Sequence, residues 1–209
     1  MIYAVAIPKG GVGKSTTAVH LAAKLATLSP CLLIDADSQP SAASWAAWRQ
    51  DLEKRGPDPV VHHLSGIEVM TTGLDLSLQF ENTVIDVGGT DAAAMRGAVL
   101  LADLVIVPLS ASSFDTAALS DLQEIIKKSQ AYREPVAVRV LLSRLNSSAK
   151  DTEKMRAYLK EQGLQVFNSQ VMERVAFRRA IEAGATVEEQ GKDKKAIEEI
   201  NQFFKEVIA

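Results

Sequence analysis

A glycine-rich segment, PKGGVGKST at residues 8–16, constrains the fold of this chain more than any other feature. It follows an apolar run at residues 2–7 and precedes an alanine- and leucine-rich helical pattern, so the order strand, turn, helix is predicted. A helix that begins directly after a glycine turn offers free backbone N–H groups and a positive dipole end to an anion. The segment therefore predicts a phosphate-binding loop, in which Lys14 reaches the β and γ phosphates of a nucleotide and the Ser15 hydroxyl ligates Mg²⁺.

The composition limits the class of protein that this chain can be. With 209 residues, 47% of them hydrophobic, it can bury a full core, and we expect one domain over residues 1–209. The single cysteine, Cys31, excludes a disulfide framework or a cysteine metal site within one chain and fits a reducing cytoplasm. No apolar stretch is long enough to cross a bilayer, and the net charge of −3 restricts any nucleic-acid contact to a local basic patch.

Short apolar runs alternate with helical patterns along the whole chain. The runs, which read as buried strands, lie at residues 2–7, 31–34, 60–64, 83–87, 104–109, 136–142 and 165–167. The helical patterns lie at residues 15–28, 41–54, 91–101, 116–131, 151–162, 171–183 and 193–208, and residues 66–80 are ambiguous. The alternation predicts an α/β fold, a three-layer α/β/α sandwich with a mostly parallel sheet and a ligand at the carboxyl ends of its strands.

The glycine-rich loop departs from the strict P-loop pattern in an informative way. Pro8 stands where that pattern has a glycine, and an additional lysine, Lys9, follows it. The resulting K-G-G-x-G-K-[ST] resembles the deviant Walker A motif of the ParA/MinD ATPases. The resemblance implies an ATPase that uses ATP and Mg²⁺, in which Lys9 reaches across a dimer interface to the partner's nucleotide. The loop residues expected at the nucleotide are Lys9, Gly10, Gly11, Val12, Gly13, Lys14, Ser15 and Thr16.

Two aspartates follow the second apolar run, at the predicted end of a strand. Asp35 and Asp37 have alternate spacing, so both carboxylates can face one pocket. The segment resembles the family's D-x-D-P-Q, which implies that Asp37 positions the attacking water and that Asp35 supports the water shell of the metal. Ser38 replaces the family's proline. For Asp35 taken alone, an ordinary turn residue at a strand end is the alternative.

A third aspartate, Asp86, ends the apolar run TVIDV at residues 83–87. This pattern predicts a Walker B strand whose carboxylate holds Mg²⁺ through water. The following Gly88 and Gly89 resemble a switch loop that senses the γ phosphate, since glycine permits the backbone rearrangement that hydrolysis requires.

Two later segments also resemble small partition ATPases. Residues 104–115 resemble the family's strand and the loop that follows it near the dimer interface. Two interpretations of Asp115 stay open, a functional residue and a purely structural one. Residues 141–146 occupy the position where family members contact adenine, and the resemblance makes Arg144 the expected neighbour of the base.

Basic residues of the C-terminal region form the candidate DNA surface. They are Arg174, Arg178, Arg179, Lys192, Lys194 and Lys195. Interleaved acidic residues leave an ordinary solvated face as the alternative. The last helical pattern, residues 193–208, is amphipathic with an acidic polar face, which favours packing on the sheet over binding to an anionic membrane.

The resemblance covers essentially the whole chain and is strongest to small, ParF-like ParA partition ATPases, with no room for an N-terminal helix-turn-helix domain. It implies a homodimer on ATP, non-specific DNA binding, and a ParB-type centromere-binding or adaptor protein that stimulates hydrolysis. The protein would be cytoplasmic and nucleoid-associated when ATP is bound, with no membrane expected. The same machinery positioning another cargo, such as a chemoreceptor cluster or a microcompartment, and a membrane-associated MinD-like regulator remain alternatives.

Overall fold

The computed structural model describes residues 1–53, 55–110, 116–146 and 148–209, so Asp115 lies outside the described residues. Within these ranges the strands form one seven-stranded sheet in the order β3-β2-β4-β1-β5-β6-β7, and every neighbouring pair is parallel. The strands are β1 (Ile2–Val5), β2 (Cys31–Ala36), β3 (Val60–His63), β4 (Asn82–Val87), β5 (Leu104–Leu109), β6 (Ala137–Leu145) and β7 (Gln165–Met172). The predicted α/β fold is confirmed.

Helices connect the strands and cover both faces of the sheet. They are α1 (Lys14–Ala26), α2 (Ser41–Arg49), α3 (Thr71–Ser77), α4 (Ala92–Leu101), α5 (Thr116–Ser129), α6 (Ala149–Glu161), α7 (Val175–Glu182), α8 (Val187–Gln190) and α9 (Lys194–Ile208), with a 3₁₀ helix at Gly66–Val69. Side-chain caps begin several of them, since Asp91, Ser148 and Asp193 accept backbone N–H bonds in the first turns of α4, α6 and α9.

Two hydrophobic cores lie on opposite faces of the sheet because successive strand residues point to opposite sides. In β1, Tyr3 and Val5 belong to the core beneath α1, α2, α7 and α9. The next residues along, Ala4 and Ala6, belong to the core beneath α4, α5 and α6. The strands are apolar almost throughout since each is covered on both faces, which gives the three predicted layers.

Helix α9 packs on the sheet, as its acidic polar face predicted. Its apolar face is buried in the first core, and Glu206 accepts the backbone N–H groups of Asn168 and Ser169 in β7 at 2.8 and 2.5 Å. The acidic face therefore bonds to the protein's own last strand. Among the helices that the structure describes, none has the length and apolar character needed to span a bilayer.

The structure differs from the predicted segments in three places. Strand β7 runs to Met172, so the helix predicted from residue 171 begins at Val175. The ambiguous residues 66–80 form the 3₁₀ helix and α3. Helix α8 was not predicted, although its capping box of Thr186 and Glu189 follows a recognised sequence pattern.

Candidate nucleotide-binding site

The glycine-rich loop adopts the backbone conformation that its glycines allow. Gly11 and Gly13 have φ angles of +73° and +93°, in the left-handed region that other residues rarely enter. Helix α1 begins at Lys14 directly after Gly13. An added Cβ at Gly13 would stand 3.1 Å from the Ser143 hydroxyl oxygen, so space as well as conformation requires glycine there. The loop thus presents a helix N-terminus to the cleft above the sheet, the geometry that binds phosphate.

Lys14 is buried beneath this loop, and its ammonium group donates a hydrogen bond to the Lys9 carbonyl. Burial lowers the pKa of Lys14, while the nearby charges of Asp86 and Asp37 act in the opposite direction. The lysine is therefore held inside the loop, within the field of two carboxylates, by a carbonyl that an incoming phosphate oxygen could replace.

Asp35 is fully buried, and its carboxylate is occupied by backbone groups. One oxygen accepts the Asp37 N–H at 3.2 Å and the other accepts the Ala43 N–H of α2 at 2.8 Å. Burial raises the pKa of Asp35, and these two hydrogen bonds partly offset the rise. Asp35 thus fixes the loop that carries Asp37 and the first turn of α2, which adds a structural role to its predicted place beside the metal.

Asp37 and Lys9 both contact the glycine turn that follows β4. An added Cβ at Gly88 would stand 2.9 Å from the Asp37 carboxylate carbon and from one of its oxygens. At Gly89 the same atom would stand 3.2 Å from the Lys9 backbone nitrogen. The Asp37 carboxylate also accepts the Gln39 N–H at 3.0 Å, which orients it. The predicted switch turn therefore lies against the predicted water-positioning residue and against the second lysine.

Asp86 is a buried carboxylate, and neither of its oxygens has a hydrogen-bond partner among the described residues. Burial raises its pKa to about 7, and the nearby Ser15 hydroxyl and Lys14 ammonium favour the charged form. A buried carboxylate without a hydrogen-bond partner, close to a hydroxyl, suits a hard cation with oxygen ligands.

These donors fit Mg²⁺ held partly by a nucleotide. Within the described residues no group of three histidine, cysteine or acidic side chains could hold a metal alone. Mg²⁺ in phosphate-transfer sites needs one or two protein ligands because water and phosphate oxygens supply the rest. Ser15 and Asp86 are sufficient protein ligands for that arrangement.

The end of β6 supports the loop from the other side. Ser143 donates a hydrogen bond to the Val12 carbonyl, and Arg144 donates to the Gly11 carbonyl while pairing with Glu173 at 2.6 Å. Arg144 has a φ of +49°, uncommon for a residue with a side chain. Its guanidinium lies at the cleft and bridges the phosphate loop to the β7–α7 connection, a contact that the predicted adenine role did not foresee.

A cleft of about 1340 Å³ collects most of the predicted nucleotide residues. It is lined by Lys9, Gly10, Gly11, Gly13, Lys14, Ser15, Thr16, Asp37 and Arg144, whereas Val12, Asp35 and Asp86 are buried behind its surface. The cleft continues between α2 and α7, where Trp48, Val175 and Arg178 form its walls.

The predicted DNA-binding residues differ in solvent exposure and in whether they form ion pairs. Arg174 binds Glu199 at 2.6 and 3.0 Å, and this pairing raises its pKa. Arg178 faces Glu182 at 3.9 Å on the surface of α7. The other four, Arg179, Lys192, Lys194 and Lys195, are exposed. Arg174 is thus largely committed to holding α7 to α9, and the lysines around the start of α9 carry most of the exposed charge.

Two buried polar residues near the site were missed by the sequence analysis. His20 on α1 makes a 2.8 Å contact to the Thr16 carbonyl, and its Nε2 accepts the Val187 N–H at 3.2 Å. Arg49 on α2 forms a two-pronged bond to Glu189 at 2.5 and 2.7 Å and a bond to Asp58 at 2.6 Å. No sequence signal distinguishes these residues from ordinary helix residues, since Val187 and Glu189, which bond to them, lie far away along the chain.

The chain is similar to known proteins over almost its whole length. The chain is 26% identical over 211 residues to the maintenance of carboxysome distribution protein A of Halothiobacillus neapolitanus, covering 98% of this chain and 95% of that protein. It is also 26% identical over 210 residues to Protein ParA of Rhizobium radiobacter, covering 97% and 93%. A Borrelia burgdorferi plasmid partition protein solved with AMPPNP shares the fold, with a TM-score of 0.73 and 20% identity over 98% of this chain and 96% of that one.

The family model described as the CobQ/CobB/MinD/ParA nucleotide-binding domain matches residues 3–187, which include the loop, the three aspartates and Arg144. The chain therefore belongs to this family of nucleotide-binding proteins.

Proposed function

We propose that this protein is an ATP-dependent positioning ATPase, which dimerises on ATP, binds DNA without sequence preference and hydrolyses ATP when a partner protein stimulates it. The observation that carries the proposal is the two-lysine loop. Lys14 is buried beneath the loop, whereas Lys9 lines the cleft and its backbone lies against Gly89. These positions support a role for Lys14 at the protein's own nucleotide and a role for Lys9 at the nucleotide of a second protomer.

The site residues then divide into those that bind the nucleotide, those that hold the metal and one that orients the attacking water. Residues 9–16 and Arg144 bind the nucleotide, with Lys14 neutralising the β and γ phosphates. Ser15 and Asp86 hold Mg²⁺, and Asp35 supports its water shell. The metal, when bound, neutralises the charge that develops on the phosphates during hydrolysis. Asp37 lines the cleft and orients the attacking water, its own carboxylate being fixed by the Gln39 N–H.

Dimerisation would complete the site, since Lys9 acts on the nucleotide of the partner protomer. A cation supplied in trans can accelerate phosphate transfer by about 10³ to 10⁵ in GTPases. We expect slow basal turnover and stimulation by a ParB-type or adaptor protein. In the cell the ATP form would lie on the nucleoid and the ADP form in the surrounding cytoplasm.

The cargo divides the proposal into two candidates. Similarity to Protein ParA favours plasmid or chromosome partition, whereas similarity of the same extent to a carboxysome distribution protein favours positioning of a microcompartment. Both need the same ATPase and differ in the partner. A membrane-associated MinD-like role is less favoured because the apolar face of α9 is buried against β7.

Fluorescence anisotropy of a labelled random-sequence DNA duplex, measured with ATP–Mg²⁺, with ADP–Mg²⁺ and without nucleotide, tests the proposal. We expect binding in ATP alone. Lys14→Ala should abolish nucleotide binding and hence DNA binding, since it removes the charge beneath the phosphates. Lys9→Ala should keep nucleotide affinity within about threefold yet lose the ATP dimer in sedimentation and lower turnover at least tenfold.

The outcomes separate the parts of the proposal. Equal ATP affinity and turnover in both variants and the parent would refute the ATPase assignment. ATP binding and dimerisation without DNA binding in any state would remove DNA from the proposal and leave the nucleotide site intact.

A further inference from the structure

An exposed apolar stripe lies on the segment that the sequence left ambiguous. Ile67, Leu74 and Leu78 are 67%, 42% and 77% exposed, and we name these three residues the α3 stripe. Ile67 lies in the 3₁₀ helix, Leu74 lies in α3, and Leu78 is the residue that directly follows α3. They are seven and four residues apart, a spacing that keeps side chains on one side of a helical segment, and the exposed Thr71 lies between the first two. Surface leucines occur singly in any protein, but a row of them on one helical face marks an interaction site.

The surroundings of the α3 stripe are acidic. No lysine or arginine occurs from residue 56 to residue 95. Glu68 and Asp75 are exposed beside Ile67 and Leu74 in the sequence. Glu81 is exposed three residues after Leu78, but the N-terminal ammonium group of Met1 donates a hydrogen bond to its carbonyl at 2.5 Å, so the acidic section of the stripe is the one from Ile67 to Asp75. The nearest cation along the chain after this stretch is the exposed Arg96 of α4. An acidic apolar strip disfavours DNA and anionic membranes, and it complements an amphipathic helix with basic residues along its edge.

The segment that carries the α3 stripe packs closely against strand β2 and against helix α4. An added Cβ at Gly73 of α3 would stand 3.4 Å from the Ile34 side chain, immediately before Asp35. An added Cβ at Gly97 of α4 would stand 3.1 Å from the Met70 backbone nitrogen. Close backbone packing of this kind transmits displacement because protein interiors yield little.

One hydrogen-bonded residue links the segment to the glycine turn. Asp91 follows Gly88 and Gly89 closely and caps α4 by accepting the N–H groups of Ala93 and Ala94 at 3.0 and 2.9 Å. Its second oxygen accepts the Gly66 N–H at the start of the 3₁₀ helix, at 2.9 Å. These three hydrogen bonds lower the pKa of Asp91 and keep it charged.

We infer that the α3 stripe is a docking surface for a basic amphipathic helix of a partner protein, and that its occupation alters turnover at the nucleotide site through Asp91 and α4. The docking claim rests on the exposed apolar side chains and their acidic surroundings. The claim that docking alters turnover rests on the proposed ATPase function. A helix laid along α3 would bury the three apolar side chains and place its cations against Glu68 and Asp75.

A synthetic helix tests the docking directly. The probe is a fluorescein-labelled 18-residue leucine–lysine peptide of amphipathic pattern, and its comparator carries glutamate in place of each lysine. In anisotropy without nucleotide, the lysine peptide should bind at least tenfold more tightly than the glutamate peptide, because only its charges complement the stripe. The Leu74→Ser/Leu78→Ser variant should weaken lysine-peptide binding at least tenfold, and Asp75→Asn should reduce its salt dependence.

The matched control is Leu28→Ser, which removes an exposed leucine at the end of α1 in the opposite helical layer. It should leave peptide affinity unchanged. Urea unfolding identifies a variant that fails to fold, in which case Ile67→Ser replaces the double variant. A photo-crosslinking version of the peptide should label residues 66–78, and labelling elsewhere would overturn the docking.

Further outcomes separate this inference from the proposed function. Peptide binding is measured without ATP, so absent ATPase activity would refute the proposed function and leave the docking result standing. If the enzyme is active, the lysine peptide should change ATP turnover at least twofold in the parent and not in the Leu74→Ser/Leu78→Ser variant. Unchanged turnover would overturn the coupling. Sedimentation showing that the parent self-associates through the stripe would overturn the partner helix in favour of a second copy.

Discussion

Two aspartates near the ends of β2 and β4 line up at the candidate site, and their environments differ sharply. Asp35 gives both oxygens to backbone N–H groups, whereas Asp86 gives its oxygens to no described residue. The resemblance gave the two aspartates different roles, but the sequence could not show which of them is hydrogen-bonded, since their hydrogen bonds depend on where α2 begins relative to the sheet. Asp86, which has no hydrogen-bond partner among the described residues, has the environment that suits a cation.

Asp86→Asn should make the nucleotide-free protein more stable at pH 8 by about 1 to 3 kcal/mol, because it removes a buried charge. The folded pKa of about 7 lies above the unfolded value of 3.8, so the native state retains a proton that the unfolded state releases. Parent stability therefore falls as pH rises from 4 to 7 and the gain from the variant shrinks toward pH 5. Urea unfolding in EDTA at both pH values measures this.

The control for that measurement is Asp121→Asn on the exposed surface of α5, which should change the free energy of unfolding at pH 8 by less than about 0.5 kcal/mol. The Asp86→Asn variant should also lose at least tenfold in Mg²⁺-dependent turnover. A pH profile identical to that of the parent would show that Asp86 is not desolvated in the folded state.

Gly88→Ala should lower turnover at least tenfold while the protein still folds and binds nucleotide. The added methyl group would stand 2.9 Å from the Asp37 side chain, so one of the two must move. Gly56→Ala is the control because its methyl group meets an ordinary contact of 3.5 Å with Glu189. Single-turnover hydrolysis with a parallel nucleotide titration distinguishes lost chemistry from lost binding. Turnover equal to the parent would show that the Asp37 loop adapts freely.

At the scale of elements, α2 and α8 are joined by a buried ion network that the sequence did not indicate. Arg49 lies fully buried with its guanidinium 4.9 Å from the Trp45 ring, and Glu189 also accepts the Gly56 and Thr186 N–H groups at 2.8 Å. These bonds lower the pKa of Glu189 to about 2 against the cost of its burial. The network holds α2, which follows the Asp37 loop, against the turn at Gly56 and against α8.

Arg49→Met should destabilise the protein by about 3 kcal/mol, since it leaves the partly buried carboxylate of Glu189 without its cation. Arg55→Met is the matched control, because Arg55 also pairs with Asp58, at 3.2 Å, but is exposed. It should cost less than about 1 kcal/mol. Adding Glu189→Met to Arg49→Met should restore part of the loss, and urea unfolding of the parent, Arg49→Met, Glu189→Met and the double variant gives the coupling energy.

The same network has a signature in acid. Because the folded pKa of Glu189 is depressed, its stabilisation is complete above the unfolded value of 4.5 and is lost as pH falls toward 2. The Arg49→Met variant should show a shallower loss of stability across that window. An unchanged acid profile would mean that the backbone N–H groups, rather than Arg49, hold the carboxylate charged.

At the scale of the whole molecule, an acidic protein is proposed to bind DNA through one local patch. The net charge is −3, yet Lys192, Lys194 and Lys195 are exposed together around the start of α9. A dimer would present this patch twice, which gives the ATP state a stronger field for phosphates than the monomer has.

Replacing Lys192, Lys194 and Lys195 by alanine should weaken ATP-dependent DNA binding at least tenfold near 0.1 M salt. The slope of log affinity against log salt should become shallower by up to about 5. A dimer loses six lysines, and each lost phosphate contact removes about 0.9 from the slope. The control is Lys154→Ala/Lys160→Ala on α6, in the opposite helical layer. Anisotropy titrations at several salt concentrations measure both values. An unchanged slope in the triple variant would place the DNA surface elsewhere.

The sequence by itself determined the strand order in the chain, the apolar faces and the phosphate loop, because these depend on local spacing and on residue types such as Gly13 and Lys14. Tertiary structure decided which buried aspartate lacks partners, that Arg144 ties the loop to Glu173, and that Arg49 meets Glu189 across 140 residues of chain. The physical reason is that hydrogen bonding and desolvation depend on neighbours in space. Those neighbours are set by how helices pack across the sheet, which no local pattern specifies.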